Sequence, residues 1–283
     1  MYKIVFEIIF FICCIICLWI YFQRTTNERY SPETYVSNPS NESKISIVTY
    51  NIQKFPWSMK SFDELHRMLK HYSIILLQEC FDETFQSLEG YFPDYHICRG
   101  TLKNINIMNS GLVILSKYPI TDVQFYLYKQ SNPLTFDILS EKGILTAQIE
   151  INGKKIYVMN THLQSCDFYR YDRYAVLQLE ELKQYLTHLR LRDEKYIVGG
   201  DFNIDIQDFT RMTKKDEMPE NIYHPDEPTI FIDFFTSHTR SQPEKGYDPL
   251  IFDYFISTID LDKPLTIQSD YSDHNPVRAF FQI

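Results

Sequence analysis

The sequence predicts a mixed α/β sandwich preceded by one membrane-spanning helix. Three observations carry that expectation. Short β-rich runs outnumber helical ones, Asn152-Gly153 is a strong two-residue hairpin signal, and no charge interrupts the apolar stretch from Ile8 to Phe22. The apolar run reaches back to Ile4 with only Glu7 inside it, and nineteen helical residues cover roughly one bilayer core. It ends Leu18-Trp19-Ile20-Tyr21-Phe22-Gln23-Arg24, with aromatics at the interface and no small-residue cleavage site, which favours an uncleaved anchor over a signal peptide. Lys3 on one side and Arg24 and Arg29 on the other leave its orientation open.

The chain then divides into an anchor at 1–22, a polar tether at 23–43 with Ser-Pro and Asn-Pro steps, and a body from Lys44 to Ile283. A flexible tether of that length spans roughly 25 Å, so the body would stay close to lipid. Within the body Ile45 to Tyr50 reads as a strand. Ser61-Phe62-Asp63-Glu64 is a capping box that opens a helix to about Lys70. Ile74 to Leu77, Leu112 to Leu115, Ile144 to Ile151 and Lys155 to Met159 read as further strands, the last two flanking Asn152-Gly153. Tyr174, Leu177, Leu182, Tyr185, Leu186 and Leu189 fall at helical spacing on a long helix near 170–191. Tyr196 to Val198, Phe252 to Ile256, Leu265 to Gln268 and Val277 to Phe281 complete the strands.

Composition narrows the function. The 283 residues are 44% hydrophobic and 23% charged, as in ordinary globular chains. Twenty-eight basic against thirty-seven acidic residues give a net charge of −9, with no basic stripe of the kind a duplex binder needs. Nucleic acid is therefore disfavoured as a partner. Three of the six cysteines, Cys13, Cys14 and Cys17, lie in the apolar segment. Cys80, Cys98 and Cys166 are scattered, without disulfide or zinc spacing. Asn41-Glu42-Ser43 is a lone glycosylation sequon.

Six places share one pattern, in which a β run ends and polar residues follow at once. They are Tyr50-Asn51, Leu77-Gln78-Glu79, Asn160-Thr161-His162, Gly200-Asp201-Phe202-Asn203, Phe252-Asp253-Tyr254 and Ser272-Asp273-His274-Asn275. One carboxylate after a strand is ordinarily a solvated loop residue. Six such places together point to a shared site at the strand ends.

In this order the segments TYNIQ, LLQE, SGLVILSKYPI, NTHLQ, GGDFNI and SDHNPV resemble the endonuclease/exonuclease/phosphatase superfamily, over about Lys44 to Ile283. The resemblance implies a four-layer α/β/β/α sandwich, deoxyribonuclease-like, with the active site at one edge. The neutral sphingomyelinase branch is the nearest in motif. Phe81-Asp82 follows Glu79-Cys80, Arg173, Gln178, Glu181 and Leu182 follow the His162 segment, and Asp137 precedes Lys142-Gly143 at that branch's spacing.

That branch implies a membrane lipid substrate, sphingomyelin split to ceramide and phosphocholine, and Mg2+ as cofactor with Mn2+ its alternative. It assigns Asn51, Glu79 and Asp273 to the metal. His274 becomes general base with Asp253 as its orienter, Asp201 aligns water, Asn203 binds phosphate, and His162 stabilises the transition state. Asp137 and Lys142 form a substrate-side switch, while Asn160 reads as structural. A nuclease of the same fold and a catalytically inactive membrane-bound binding module are the alternatives. No protein partner is legible.

Overall fold

A computed structural model describes residues 44–55, 58, 60–81, 85–100, 108–165, 172–213, 220–233, 238–240 and 248–283. The expected anchor and tether, the sequon, Asp82 and Cys166 lie outside them. Among the described residues no helix is long and apolar enough to cross a membrane.

The chain runs β1 (Ile45–Lys54), α1 (Phe62–Leu69), β2 (Ile74–Cys80), α2 (Phe85–Tyr91), β3 (His96–Arg99), β4 (Val113–Ser116) and β5 (Ile120–Leu127). A 3-10 turn (Phe136–Leu139) precedes β6 (Gly143–Ile151), β7 (Lys154–His162), α3 (Arg173–Arg190), β8 (Tyr196–Asp201) and α4 (Ile206–Met212). The strands β9 (Asn221–Tyr223), β10 (Ile230–Asp233), β11 (His238–Arg240), β12 (Asp248–Leu250), β13 (Asp253–Ser257), β14 (Leu265–Thr266) and β15 (Val277–Phe281) complete it.

Two six-stranded sheets result, ordered β14-β15-β1-β2-β4-β3 and β5-β6-β7-β8-β13-β9, besides a small β11-β10-β12 sheet. Each large sheet has one parallel pair near its middle, β1 with β2 and β7 with β8, flanked by antiparallel neighbours. Parallel pairs run their C-terminal ends to the same edge, so each sheet brings two strand ends together there.

The layers follow from alternating burial. Ile47, Leu76, Ile114, Leu145, Ala147, Val158, Ile197 and Phe255 form the core between the sheets. The residues that alternate with them, Val48, Ile75, Leu77 and Val113, face outward and meet Leu65 and Leu69 of α1 and Leu88 and Phe92 beyond it. On the other side Val198, Tyr254 and Ile256 meet Ala175, Leu179, Leu182 and Leu186 of α3. The central strands of both sheets are therefore buried on two faces, which explains strand runs that are nearly continuously apolar. Burying each large aliphatic side chain stabilises by about 1.5–3 kcal/mol.

The local signals act through identifiable atoms. At the Asn152-Gly153 turn both residues have positive φ, 52° and 76°, as a type I′ hairpin requires. Ser61 Oγ accepts the Asp63 N–H to start α1, but Glu64 stays exposed, so only half of the expected capping box forms.

One polar link crosses the core. Asn160 donates to Leu77 O and Val113 O of the facing sheet at 2.8 and 2.9 Å, and accepts from Gln78 Nε2 at 2.6 Å. Gln78 also donates to Thr49 Oγ1. Asn160 thus ties the two sheets together beside the strand ends, rather than holding a loop before His162 as its sequence position suggested.

Candidate active site

Each parallel pair ends in polar residues at the same edge. β1 supplies Asn51 and β2 supplies Glu79, whereas β7 and β8 end at His162 and Asp201, which are register partners. Asp253 begins β13 directly opposite Asp201, and Asp273 and His274 lie just before β15. Residues spread over more than two hundred positions therefore meet because six strand termini share one edge.

Asn51 joins the two halves. Its Nδ2 donates to Glu79 Oε1 at 2.9 Å and to Asp201 Oδ2 at 3.0 Å, while its Oδ1 accepts the Gln53 N–H at 3.1 Å. The side-chain oxygen expected to face a metal is thus turned to Gln53, and the amide nitrogen spaces two carboxylates. Gln53 (φ 46°) and Glu79 (φ 52°) occupy the left-handed region, where a non-glycine residue costs about 1–3 kcal/mol. Irregular pairing between Asn51 and Lys54 accompanies that strain.

Glu79 is half-buried, and its carboxyl is raised to about 7 by desolvation first and by the charge of Asp273 second, against the opposing Asn51 bond and Lys142 charge. Glu79 and Asp273 bring like charge to one edge, with Lys60 and Lys142 acting against it. Hard oxygen donors in that condition suit a divalent cation such as Mg2+.

Asp201, Asp253 and His274 form a second set whose ligand atoms lie within 4.8 Å of one another. There, however, His274 Nδ1 and Asp253 Oδ2 are already engaged with each other at 2.7 Å. We read the trio as a hydrogen-bonded proton-handling group and the Glu79–Asp273 side as the better cation site.

The two histidines are shifted in opposite directions. His274 Nε2 is 3.5 Å from Asp201 Oδ2. Burial disfavours its imidazolium, yet Asp253 and Asp201 together hold its pKa well above the ordinary value. His162 is pushed well below the ordinary value, first by burial and then by the charge of Lys142. Lys142 Nζ lies 3.3 Å from Nδ1 and 3.1 Å from Nε2, near-equal distances that place it over the ring face. His162 Nε2 in turn is 3.5 Å from Asp201 Oδ2 and 3.9 Å from Glu79 Oε1. Asp201 is itself raised to about 6, chiefly by burial, with His274 opposing and Asp253 adding to the shift.

Lys142 is also 3.2 Å from Asp137 Oδ2. That oxygen accepts from Gln164 Nε2, Ser165 N and Ser165 Oγ, each at 2.8 Å. Asp137 and Lys142 therefore reach the site as a closed pair, through His162. Gly143 is required beside Lys142, because a Cβ there would meet Tyr126 O at 2.3 Å. Asn203 sits at φ 49° with its N–H on Asp201 Oδ1 and its Nδ2 on Leu163 O at 3.1 Å, so its amide donor is turned toward the backbone after β7.

Two contributors were not singled out from the sequence. Gln53 Nε2 donates to Asp273 Oδ2 at 3.2 Å, and Lys60 Nζ donates to Ile52 O at 2.9 Å and approaches Gln53 Oε1 at 3.4 Å. Their roles depend on a positive φ at Gln53, which the motif's spelling does not show. The polar run on α3 serves the loops around the site. Gln178 Oε1 accepts the Gln164 N–H, and Glu181 accepts the Lys129 and Gln130 N–H groups.

The model of the endonuclease/exonuclease/phosphatase family matches residues 48–274. Sphingomyelinase C 2 of Leptospira interrogans serogroup Icterohaemorrhagiae serovar Lai (strain 56601) is 23% identical over 296 residues, covering 84% of this chain and 46% of that protein. The chain spans about half the length of the curated relatives it matches. A beta toxin variant from Staphylococcus aureus with bound magnesium ions superposes with a TM-score of 0.62 at 19% identity, covering 84% of this chain and 100% of that one. TDP2 from D. rerio, complexed with single-strand DNA product, superposes at 0.63 with 17% identity, covering 86% and 100%. The fold is shared with both. With most of its described body inside the matched region, the chain belongs to the endonuclease/exonuclease/phosphatase family.

Proposed function

We propose that the protein is a membrane-anchored, Mg2+-dependent phosphodiesterase that hydrolyses sphingomyelin to ceramide and phosphocholine. The observation that carries hydrolysis is the His274–Asp253 contact of 2.7 Å, buried beside Asp201 and across from His162. An imidazole whose Nδ1 is held by a carboxylate presents Nε2 as the proton acceptor, the arrangement of a base with its orienter.

In this reading Glu79 and Asp273 hold the cation, with Asn51 aiming the first and Gln53 the second. When bound, Mg2+ supplies Lewis-acid polarisation of the phosphate and offsets the acidic charge. Once its Nε2 has given up its own proton, His274 takes the proton of a water positioned by Asp201, and the water oxygen bonds to phosphorus. The bond from phosphorus to the ceramide oxygen breaks, and that oxygen leaves with the bonding pair and takes a proton from solvent on the His162 side. Lys142 balances phosphate charge there once Asp137 releases it, and the second Nδ2 hydrogen of Asn203, the one not given to Leu163 O, donates to a phosphate oxygen.

The net charge of −9 and the sphingomyelinase relatives favour a lipid over a polynucleotide. The DNA-bound fold relative favours a nuclease reading instead. Vesicle hydrolysis with added Mg2+, run beside plasmid nicking by the same preparation, separates them. The lipid reading requires phosphocholine release without nicking; nicking alone overturns it. His274→Ala should lower phosphocholine release by about 10²–10⁴-fold while the fold is kept. The anchor at 1–22 is tested by alkaline carbonate washing of membranes holding the full chain, and release into the supernatant would refute it.

A further inference from the structure

A second charged feature lies away from the catalytic edge, where α1 ends and α2 runs into the following loop. A hollow of about 490 Å3 is lined there by His66, Lys70, His71 and Lys117, with Tyr91 and Tyr95 among its walls. Asp94 is its one acidic residue. Among the described residues no carboxylate pairs with any of the four basic side chains, whereas Lys183, Arg190 and Arg211 each hold an acidic partner. Two lysines left uncompensated around a concavity are unexpected in a chain of net charge −9.

The walls are rigid. Tyr95 OH donates to Lys70 O and Tyr72 O, tying the loop to the end of α1. Phe92 packs edge-on against both His66 and Tyr95, with centroids at 5.1 and 5.4 Å. Lys117 Nζ lies 5.5 Å from the Tyr95 ring centre, held over its face. Gly90 opens the rim, because a Cβ built on it meets nothing within 4 Å.

His71 also lines an adjoining hollow of about 450 Å3 with Lys44, Ser46, Asp262 and Phe280. Lys44 is the first described residue, where the chain arrives from the proposed tether. Roughly 17 Å of β1 separate Ser46 from Asn51, so this region is distinct from the catalytic edge.

We propose that the hollow between α1 and α2 is a binding site for the phosphate of an anionic phospholipid headgroup. Lys70 and Lys117 supply the charge, the imidazoles of His66 and His71 supply N–H donors, and the tyrosine walls border the glycerol end. The site does not rest on the catalytic reading, since none of its residues belongs to the catalytic edge.

The test follows His66 and His71 imidazole signals by NMR, using the full chain in phosphatidylcholine micelles doped stepwise with phosphatidylserine. Saturable shifts of both signals are expected. Lys70→Glu combined with Lys117→Glu should weaken the titration at least tenfold, and Gly90→Leu should block it with all four basic groups still present. Inorganic phosphate should need at least tenfold higher concentration for the same shifts. No shift with phosphatidylserine overturns the site. An intact titration in Gly90→Leu overturns the hollow as its place, and equal saturation by inorganic phosphate overturns the lipid as its source. Far-UV circular dichroism and thermal midpoints of the same variants, expected to match the wild type, show that each one folds.

Discussion

Lys44 and Asp262 lie 2.6 Å apart at the edge where β1 begins, while Lys142 and Asp137 lie 3.2 Å apart beside the catalytic edge. The closer pair is half in water, its side chains 51% and 52% exposed, against 3% and 19% for the other. Distance alone would rank the first pair as stronger. Environment reverses the order, because water screens the first while the second has given up its hydration. The buried Asp137 oxygen also carries three hydrogen bonds from Gln164 and Ser165, and Lys142 stands over His162. One edge therefore tolerates its charges, and the other is organised by them.

Glycines sharpen the same contrast and give the largest expected effect. A Cβ on Gly200 at the catalytic edge would sit 2.0 Å from Thr161 O, between the parallel partners β7 and β8. Gly200→Ala is expected to cost more than about 4 kcal/mol in urea unfolding and to abolish phosphodiester hydrolysis. A smaller loss would mean that the β7–β8 pair is looser than drawn.

Lys142→Ala comes next, with an expected loss of about 3–5 kcal/mol, since it strands a buried carboxylate. Recovery of most of that stability in the Asp137→Asn, Lys142→Met double variant would identify the unpaired charge as the cause.

Asp137 also supplies a pH signature. Burial works to raise its carboxyl, but Lys142, His162 and the Ser165 bonds together hold it below the ordinary value. A depressed folded pKa means that the stabilisation is complete above the unfolded value near 3.9 and is lost as pH falls through the folded one. The stability gap between wild type and Asp137→Asn should therefore stay level from neutral pH to about 5 and close below about 4. A gap that widened with acid would reverse the assignment.

At the opposite edge the effects shrink. Gly153→Ala meets no atom but keeps a φ of 76°, so about 1–2 kcal/mol is expected, read from the thermal midpoint. Lys44→Ala should change stability by about 0.2–1 kcal/mol, with the difference fading in high salt.

Much of this division was legible in the sequence. The hairpin at Asn152-Gly153, the long helix, most central strands and the six strand-end clusters announce themselves through residue type and period. Strands exposed on one face do not. Ile120–Leu127 opens with Ile, Thr, Asp, Val and Gln at an edge and has only the short apolar run Phe125-Tyr126-Leu127, so β5 escaped the pattern. The short α4 escaped as well, since seven residues show too little periodicity, although Asp205 caps it by accepting the Gln207 N–H. Residue identities at the site were readable, but atom orientations were not. Asn51 turns its nitrogen inward, Asn203 turns its donor to Leu163 O, and Gln53 enters through a positive φ, each fixed by tertiary neighbours rather than by local spelling.

The division of the site between two sheets has a mechanical consequence. Glu79 and Asp273 ride on one slab and His162, Asp201 and Asp253 on the other, so the apolar filling between the slabs sets how far apart reagents stand. Trimming Leu76 or Ile197, each remote from any reacting atom, would let the slabs settle closer or slip, and turnover would register a loss of interior volume before the fold gave way.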